Sequence, residues 1–186
     1  MSYQNIIKEW EQIAEDFFKA REGVFEKVID LTVERLKEGH KILVFGNGGS
    51  AAQAQHFAAE LVNKFLKVRP PIRALSLTTD TSALTSIAND TSFDDIFSRQ
   101  IEAFAEKGDV ALGLSTSGNS PNVIKAMKVA REKGMATIAL TGKEGGKLNS
   151  LVDHLLDVPS ESTPRIQEIH ILLLHLLAQK IEEGLE

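Results

Sequence analysis

His56 and Glu60 stand four residues apart, and Gln167, His170 and His175 stand together near the far end of the chain. An imidazole and a carboxylate at that spacing project from one face of a helix. Such a pair can share a metal ion or a proton. The same spacing also serves a solvated pair, or a buried histidine with a capping partner. Gln167 and His175 are eight apart, about two helical turns, so they can share one broad face. Both histidines of that helix lie among Ile and Leu, where an unpaired imidazole is costly. One can be satisfied by a hydrogen bond within the core; two ask for a further reason.

Two loops look suited to anions. The run Lys41–Phe45 reads as a buried strand and passes into Gly46-Asn47-Gly48-Gly49-Ser50. Glycine permits close approach of the backbone to a ligand, and Ser50 is placed to cap a following helix. Free N–H groups and the helix dipole there favour negative charge. A tight turn without a ligand would look the same. The second loop, Ser115-Thr116-Ser117-Gly118-Asn119-Ser120-Pro121, surrounds a glycine with hydroxyls ahead of another helix start. Hydroxyls and N–H groups are donors for phosphate or sugar oxygens, and two such loops point to a phosphorylated ligand. Lys64, Lys67, Arg69 and Arg73 form a small basic cluster, a solvated face or a means of steering a phosphate. Gly46-x-Gly48-x-x-Ala51 matches a lax dinucleotide fingerprint. No acidic residue follows at the distance a ribose contact needs, and no Gly-Lys-Ser/Thr phosphate loop occurs. Walker-type nucleotide hydrolysis is thereby disfavoured.

The elements that must position these residues alternate. Residues 3 to about 20 form one amphipathic helix through Ile6, Trp10, Ile13 and Phe17. A second carries Phe25, Val28, Ile29 and Leu36 and stops at Glu38-Gly39. The glycine loop opens a helix over Ser50–Phe65. Arg73–Leu77 is a strand, Asp80 or Thr81 caps a short helix to Ala88, and Asn89-Asp90 sits in a loop. A helix over Asp94–Ala105, a strand over Val110–Leu114 and a helix over Pro121–Lys133 follow. Met135–Leu140 is a strand, Thr141-Gly142 and Gly145-Gly146 make a third loop, and Leu151–Val158 holds a fifth strand. The last helix starts with Thr163 as cap and Pro164 at its first position and runs to about Ile181. This alternation predicts a parallel sheet covered on both faces, with ligands beyond the carboxyl ends of the strands. Residues 1–186 read as one domain, a helical pair (1–39) ahead of an α/β core (40–186). The pair is core, or docks onto another subunit.

The length of 186 residues suits one domain with a sizeable core. A net charge of −5 and a pI near 5.6 give no general pull toward nucleic acid or anionic membrane. Cysteine is absent, which removes disulfides and thiolate metal sites. No signal pattern opens the chain and no run approaches a membrane span. The expectation is a cytoplasmic protein.

Taken together and in order, several segments carry a resemblance: Gly46-Asn47-Gly48-Gly49-Ser50, His56-Phe57-Ala58-Ala59-Glu60, Asn89-Asp90, Ser115 to Ser120, and Arg165-Ile166-Gln167-Glu168-Ile169-His170 through His175. The set resembles the phosphoheptose isomerase family of the sugar-isomerase (SIS) fold over nearly the whole chain. The resemblance implies a three-layer flavodoxin-like domain with a five-stranded parallel sheet and a homotetramer with sites at subunit interfaces. It implies conversion of sedoheptulose 7-phosphate to D-glycero-D-manno-heptose 7-phosphate, the first step toward ADP-heptose for lipopolysaccharide. His56, Glu60, Gln167 and His175 would be ligands of one zinc per subunit, and Glu60 and His175 the acid/base pair. Asn47, Gly48, Gly49, Glu60, Asn89, Asp90, Ser115, Thr116, Ser117, Ser120 and Gln167 would contact substrate. In the implied chemistry a proton moves between C1 and C2 through an enediol, with Glu60 as base at carbon and His175 as acid toward the carbonyl oxygen. Three positions depart from the family: Gln53 stands where many members have aspartate, Lys64 where arginine is usual, and Pro164 where some have aspartate. The rival readings are non-catalytic. One is a SIS protein that binds the replication initiator DnaA, whose known example lacks equivalents of Glu60 and His175; the other is a sugar-phosphate sensor.

Overall fold

All five residues of the strand Ile42–Gly46 (β1) are buried, so the strand needs cover on both faces. In the computed structural model, which describes residues 2–185, β1 pairs on one side with Ala74–Ser76 (β2) and on the other with Val110–Ser115 (β3). Ala136–Thr141 (β4) and His154–Asp157 (β5) complete a five-stranded sheet of order β2-β1-β3-β4-β5, every neighbouring pair parallel. This is the flavodoxin-like order. The helices are Tyr3–Lys37 (α1), Gly49–Val62 (α2), Thr81–Asp90 (α3), Ser98–Phe104 (α4), Pro121–Glu132 (α5) and Thr163–Gly184 (α6).

Strand alternation sorts the core into two layers. Ile42 and Val44 face α1, α2 and α6 through Phe17, Val28, Phe57, Leu61, Ile169 and Leu173. Leu43 and Phe45 face α4 and α5 through Ile101, Val123 and Met127. Gly113 in β3 lets α5 seat closely: a Cβ there would stand 2.4 Å from Met127 Cε.

The expected N-terminal pair is a single helix of 35 residues. Gly23, in mid-helix, costs about 1 kcal/mol relative to alanine but does not end it. Phe18 makes edge contacts with Phe17 at 5.3 Å and Phe25 at 6.2 Å, so one aromatic seam spans the glycine. Other boundaries shift. Asp80 caps α3 by accepting from Ala83 N–H. Asn89 and Asp90 end that helix rather than lying in a loop. The helix expected over Asp94–Ala105 divides into a 3-10 turn, Phe93–Asp95, and α4. Ser162, not Thr163, occupies the cap position of α6.

His170 on α6 is fully buried, and its Nε2 bonds the Thr141 carbonyl at 3.1 Å. Its Nδ1 has no hydrogen-bond partner among the described residues. Burial outweighs the Thr141 bond and pushes the imidazole pKa down to about 4. Near the end of α6, burial pushes the Glu182 carboxyl upward. Backbone N–H donors of Phe65, Leu66 and Lys67, with the Arg69 guanidinium, together hold it below its ordinary value. The unfolded chain binds the His170 proton near pH 6.5 and the folded chain near 4. The unfolded state therefore holds more protons between those values, and stability falls as pH drops through that window, by about 3 kcal/mol in all. Urea unfolding at pH 6.5 and 4.5 should show wild type losing on the order of 2 kcal/mol more than His170→Gln, which keeps a donor for Thr141. Equal losses would mean that His170 is not buried neutral.

Candidate active site

The chain leaves β1 through Asn47 and turns at Gly48, which adopts φ +56° and occupies the cap position of α2. Ser50, expected as the cap, is instead buried inside the first turn. With no side chain to cap it, the first turn of α2 is closed by backbone bonds: Ser50 N–H donates to the Asn47 carbonyl at 3.0 Å, and Ala51 and Ala52 N–H donate to the Gly48 carbonyl at 3.0 and 3.2 Å. At Gly49 a Cβ would stand 2.6 Å from Gln167 Nε2. That bare backbone is what admits the Gln167 amide from α6 to the loop. Gln53, one turn into α2, donates through Nε2 to the Gln167 carbonyl at 2.7 Å. Aspartate, the residue common in the resembled family, has no donor for this bond.

One turn further along α2, His56 and Glu60 face α6. His56 Nε2 lies 3.2 Å from Glu60 Oε1 and 2.9 Å from His175 Nε2. The two rings meet edge-on, and Phe65 stacks on His175 with ring centroids 5.6 Å apart. One ligand atom from each of His56, Glu60 and His175 falls within 4.8 Å of the others. Around tetrahedral zinc, with bonds of about 2.1 Å, neighbouring donor atoms are roughly 3.3 Å apart. Two imidazole nitrogens and a carboxylate oxygen at 2.9 and 3.2 Å fit such an ion. Gln167 lies two turns earlier on α6, with its amide against Gly49 of the glycine loop.

A buried clamp holds the triad's far side. Glu182 accepts backbone N–H bonds from Phe65 (2.8 Å), Leu66 (2.9 Å) and Lys67 (3.1 Å) and a fourth bond from Arg69 Nε at 2.9 Å. Arg69 also donates to the Glu60 and Leu61 carbonyls at 2.8 and 2.7 Å, closing the last turn of α2. Arg69 is thus part of the scaffold rather than a solvated steering charge, and Arg73 bonds the Gly39 carbonyl.

The hydroxyl loop sits beside the glycine loop. Asn47 and Asn122, the latter buried at the start of α5, exchange two amide bonds of 2.9 Å between the two loops. Asn122 also accepts from Val123 N–H. Ser115 Oγ and Ser120 Oγ are 2.9 Å apart, and Ser117 Oγ accepts from Asn119 N–H. Gly118, at φ +63°, is pressed on by the third loop: a Cβ would lie 2.0 Å from the Gly145 carbonyl oxygen. Asn89 and Asp90 are exposed, and Asn89 Nδ2 donates to Asp90 Oδ1 at 2.8 Å. Leu84 and Phe93, on either side of them in sequence, line a cavity of about 180 Å³ with Gly46, Asn47 and Gly48. The segment therefore reaches the glycine loop, although these two side chains bond each other. Asn122, Phe65 and the Glu182–Arg69 clamp were not singled out from the sequence. Asn122 reads there as an ordinary early helix residue, with no signal beyond its place after Pro121.

A family model described as SIS domain matches residues 5–142. The chain is 54% identical over 183 residues to a phosphoheptose isomerase of Aliarcobacter butzleri, covering 97% of each. It is 52% identical over 180 residues to one from Campylobacter jejuni, covering 95% of this chain and 96% of the relative. The solved phosphoheptose isomerase GmhA of Neisseria gonorrhoeae matches with a TM-score of 0.91 and 45% identity, over 97% of this chain and 96% of that one. The Francisella tularensis phosphoheptose isomerase matches at 0.88 and 34%, over 98% and 100%.

The Asn47–Asn122 pair should be energetically coupled. Asn122→Leu leaves Asn47 and the Val123 N–H without their partner and should cost about 1–3 kcal/mol. Asn47→Ala on top of it should add less than it does alone. Chemical denaturation of the two single variants and the double variant measures this, and strict additivity would mean that the bridge is not formed.

Proposed function

The chain belongs to the SIS domain family, among its phosphoheptose isomerases, and we propose how its own residues bring about the isomerisation of sedoheptulose 7-phosphate to D-glycero-D-manno-heptose 7-phosphate. The observation that carries the reading is the meeting of His56, Glu60 and His175 across two helices, beside loops built from neutral donors.

An aldose–ketose isomerase has two tasks. It must move a proton from C1 of the ketose to C2 of the aldose, and it must serve the oxygens while the enediol exists. The Glu60 carboxylate takes the C1 proton and returns it at C2. His175 gives a proton to the C2 carbonyl oxygen and takes one from the C1 hydroxyl. Phe65, stacked on the His175 ring, and the Arg69 bond to the Glu60 carbonyl restrict the movement of both groups. Ser115, Thr116, Ser117 and Ser120 hold the phosphate. Asn47, the Gly48 and Gly49 backbone, Asn89, Asp90 and Gln167 orient the sugar. His56, Glu60, Gln167 and His175 would hold one zinc, which when bound polarises sugar oxygens as a Lewis acid.

A homotetramer with sites at subunit interfaces is the proposed assembly. What supports it is the open side of the site: the His56 side chain is 46% exposed, and Leu66 and Val68 nearby are 65% and 91% exposed. Apolar groups this bare beside a reaction centre favour cover by another chain. The acidic net charge supports the absence of nucleic-acid and membrane partners, and among the described residues no helix is long and apolar enough to cross a membrane. We place the enzyme in the cytoplasm, supplying ADP-heptose for lipopolysaccharide. The sensor and initiator-partner readings have no observation in their favour.

Incubation with sedoheptulose 7-phosphate, followed by NMR, should yield heptose 7-phosphate from wild type. His175→Gln should be slower by about a hundredfold or more. Chelation should cut turnover, and added zinc should restore it. Wild-type turnover by His175→Gln would refute the assignment of the acid.

A further inference from the structure

Thr116 and Ser117 form one wall of a cleft of about 210 Å³, and Ser160, Glu161 and Thr163, ahead of and within the first turn of α6, form the other. The seam between the walls is the start of the third loop. Gly142 N–H donates to the Thr116 carbonyl at 2.9 Å, and Lys143 N–H donates to the Ser160 carbonyl at 3.1 Å. Glycine is required at 142, because a Cβ would lie 2.5 Å from the Thr116 oxygen. Lys143 is therefore fixed by its backbone at the junction of the walls. Among the described residues lining the cleft it is the only cation. Its Nζ is 3.5 Å from Glu161 Oε1, with side chains 54% and 84% exposed. A pair that long and that wet holds loosely.

The phosphate reading of the hydroxyl loop leaves one need unmet. The loop offers hydroxyls and backbone N–H groups, all neutral, yet a phosphate ester brings close to two negative charges. The acidic chain as a whole gives no compensation. We propose that Lys143 supplies the counter-charge for the substrate phosphate, and that Glu161 is the partner it leaves when phosphate arrives. This rests on the reading of Ser115 to Ser120 as the phosphate subsite. On binding, Nζ swings from Glu161 to a phosphate oxygen, a charge-assisted bond stronger than the wet ion pair it replaces. Because the phosphate is remote from C1 and C2, the interaction is the same in ground and transition states and acts on KM rather than kcat.

Steady-state kinetics of the full chain, with inorganic phosphate as competing probe, test this. Lys143→Gln should raise KM for sedoheptulose 7-phosphate about tenfold and the inhibition constant of phosphate by a similar factor, with kcat within about twofold. Lys143→Arg should recover most of the loss, and Glu161→Gln should lower KM. Both side chains are exposed, so thermal melts should match wild type. Ser117→Ala separates the two levels of the argument. If it raises KM while Lys143→Gln does not, the lysine inference fails and the phosphate loop stands. If neither variant changes KM, the loop reading fails as well. A Lys143→Gln variant that loses kcat at unchanged KM also overturns the proposal.

Discussion

Strands β1 and β3 lie side by side, paired in register from Ile42↔Val110 to Gly46↔Leu114, yet their crossovers leave toward opposite faces of the sheet. After β1 the chain turns into α2 and joins the layer of α1 and α6; after β3 it turns into α5 and joins the other layer. Two neighbouring strand ends with diverging crossovers necessarily leave a crevice between their loops. Both candidate binding loops occupy that crevice, and the closeness of the strand ends dictates glycine at 46, where a Cβ would stand 2.8 Å from the Leu114 carbonyl oxygen. The reciprocal Asn47–Asn122 amides then tie one loop to the other. On the proposed reading, a substrate held by one loop would thereby be registered against the second.

The candidate reactive groups, His56, Glu60 and His175, come from outside the crevice and depend on α6 returning across α2. Two requirements meet there. The bare backbone at Gly49 lets the upper part of α6 touch the glycine loop through Gln167. At the lower end, Glu182 gathers three backbone N–H groups and Arg69, and Arg69 in turn closes the last turn of α2. His56, Glu60 and His175 lie between these two fixed ends. Burying a carboxylate so deeply is tolerable only because every donor around it is engaged, so the clamp sets the helix spacing on which the 2.9 Å approach of the two imidazoles relies.

Much of this was legible in the sequence because it is local. The β1 run is apolar throughout and could only be a strand buried on both sides; each binding loop carries glycines or hydroxyls between a strand and a helix. The i,i+4 spacing of His56 and Glu60 placed them on one face, and of the two histidines in one apolar helix, His170 is a core residue bonded to the Thr141 carbonyl while His175 meets His56. What was not legible depends on distant partners. The two N-terminal apolar stripes read as two helices, but aromatic packing on either side of Gly23 carries a single helix through. Arg69 looks like a surface charge until Glu182, 113 residues away, is seen against it. Asn122 has no distinguishing neighbour in sequence, only Asn47 across the crevice. Gln53 departs from the resembled family, yet its amide donor is what bonds the Gln167 carbonyl, a fit visible only once α2 and α6 are placed together.

The central claim is that Glu60 is the group that moves the carbon-bound proton, held ready by α6. Isotope exchange tests it most directly. Sedoheptulose 7-phosphate in D2O with wild-type protein should give heptose 7-phosphate carrying deuterium at C2, and the remaining ketose should exchange at C1. Glu60→Gln, with the same fold by circular dichroism, should give neither product nor exchange above background. Exchange at C1 by Glu60→Gln at close to the wild-type rate would contradict the account, and the base would have to be another residue.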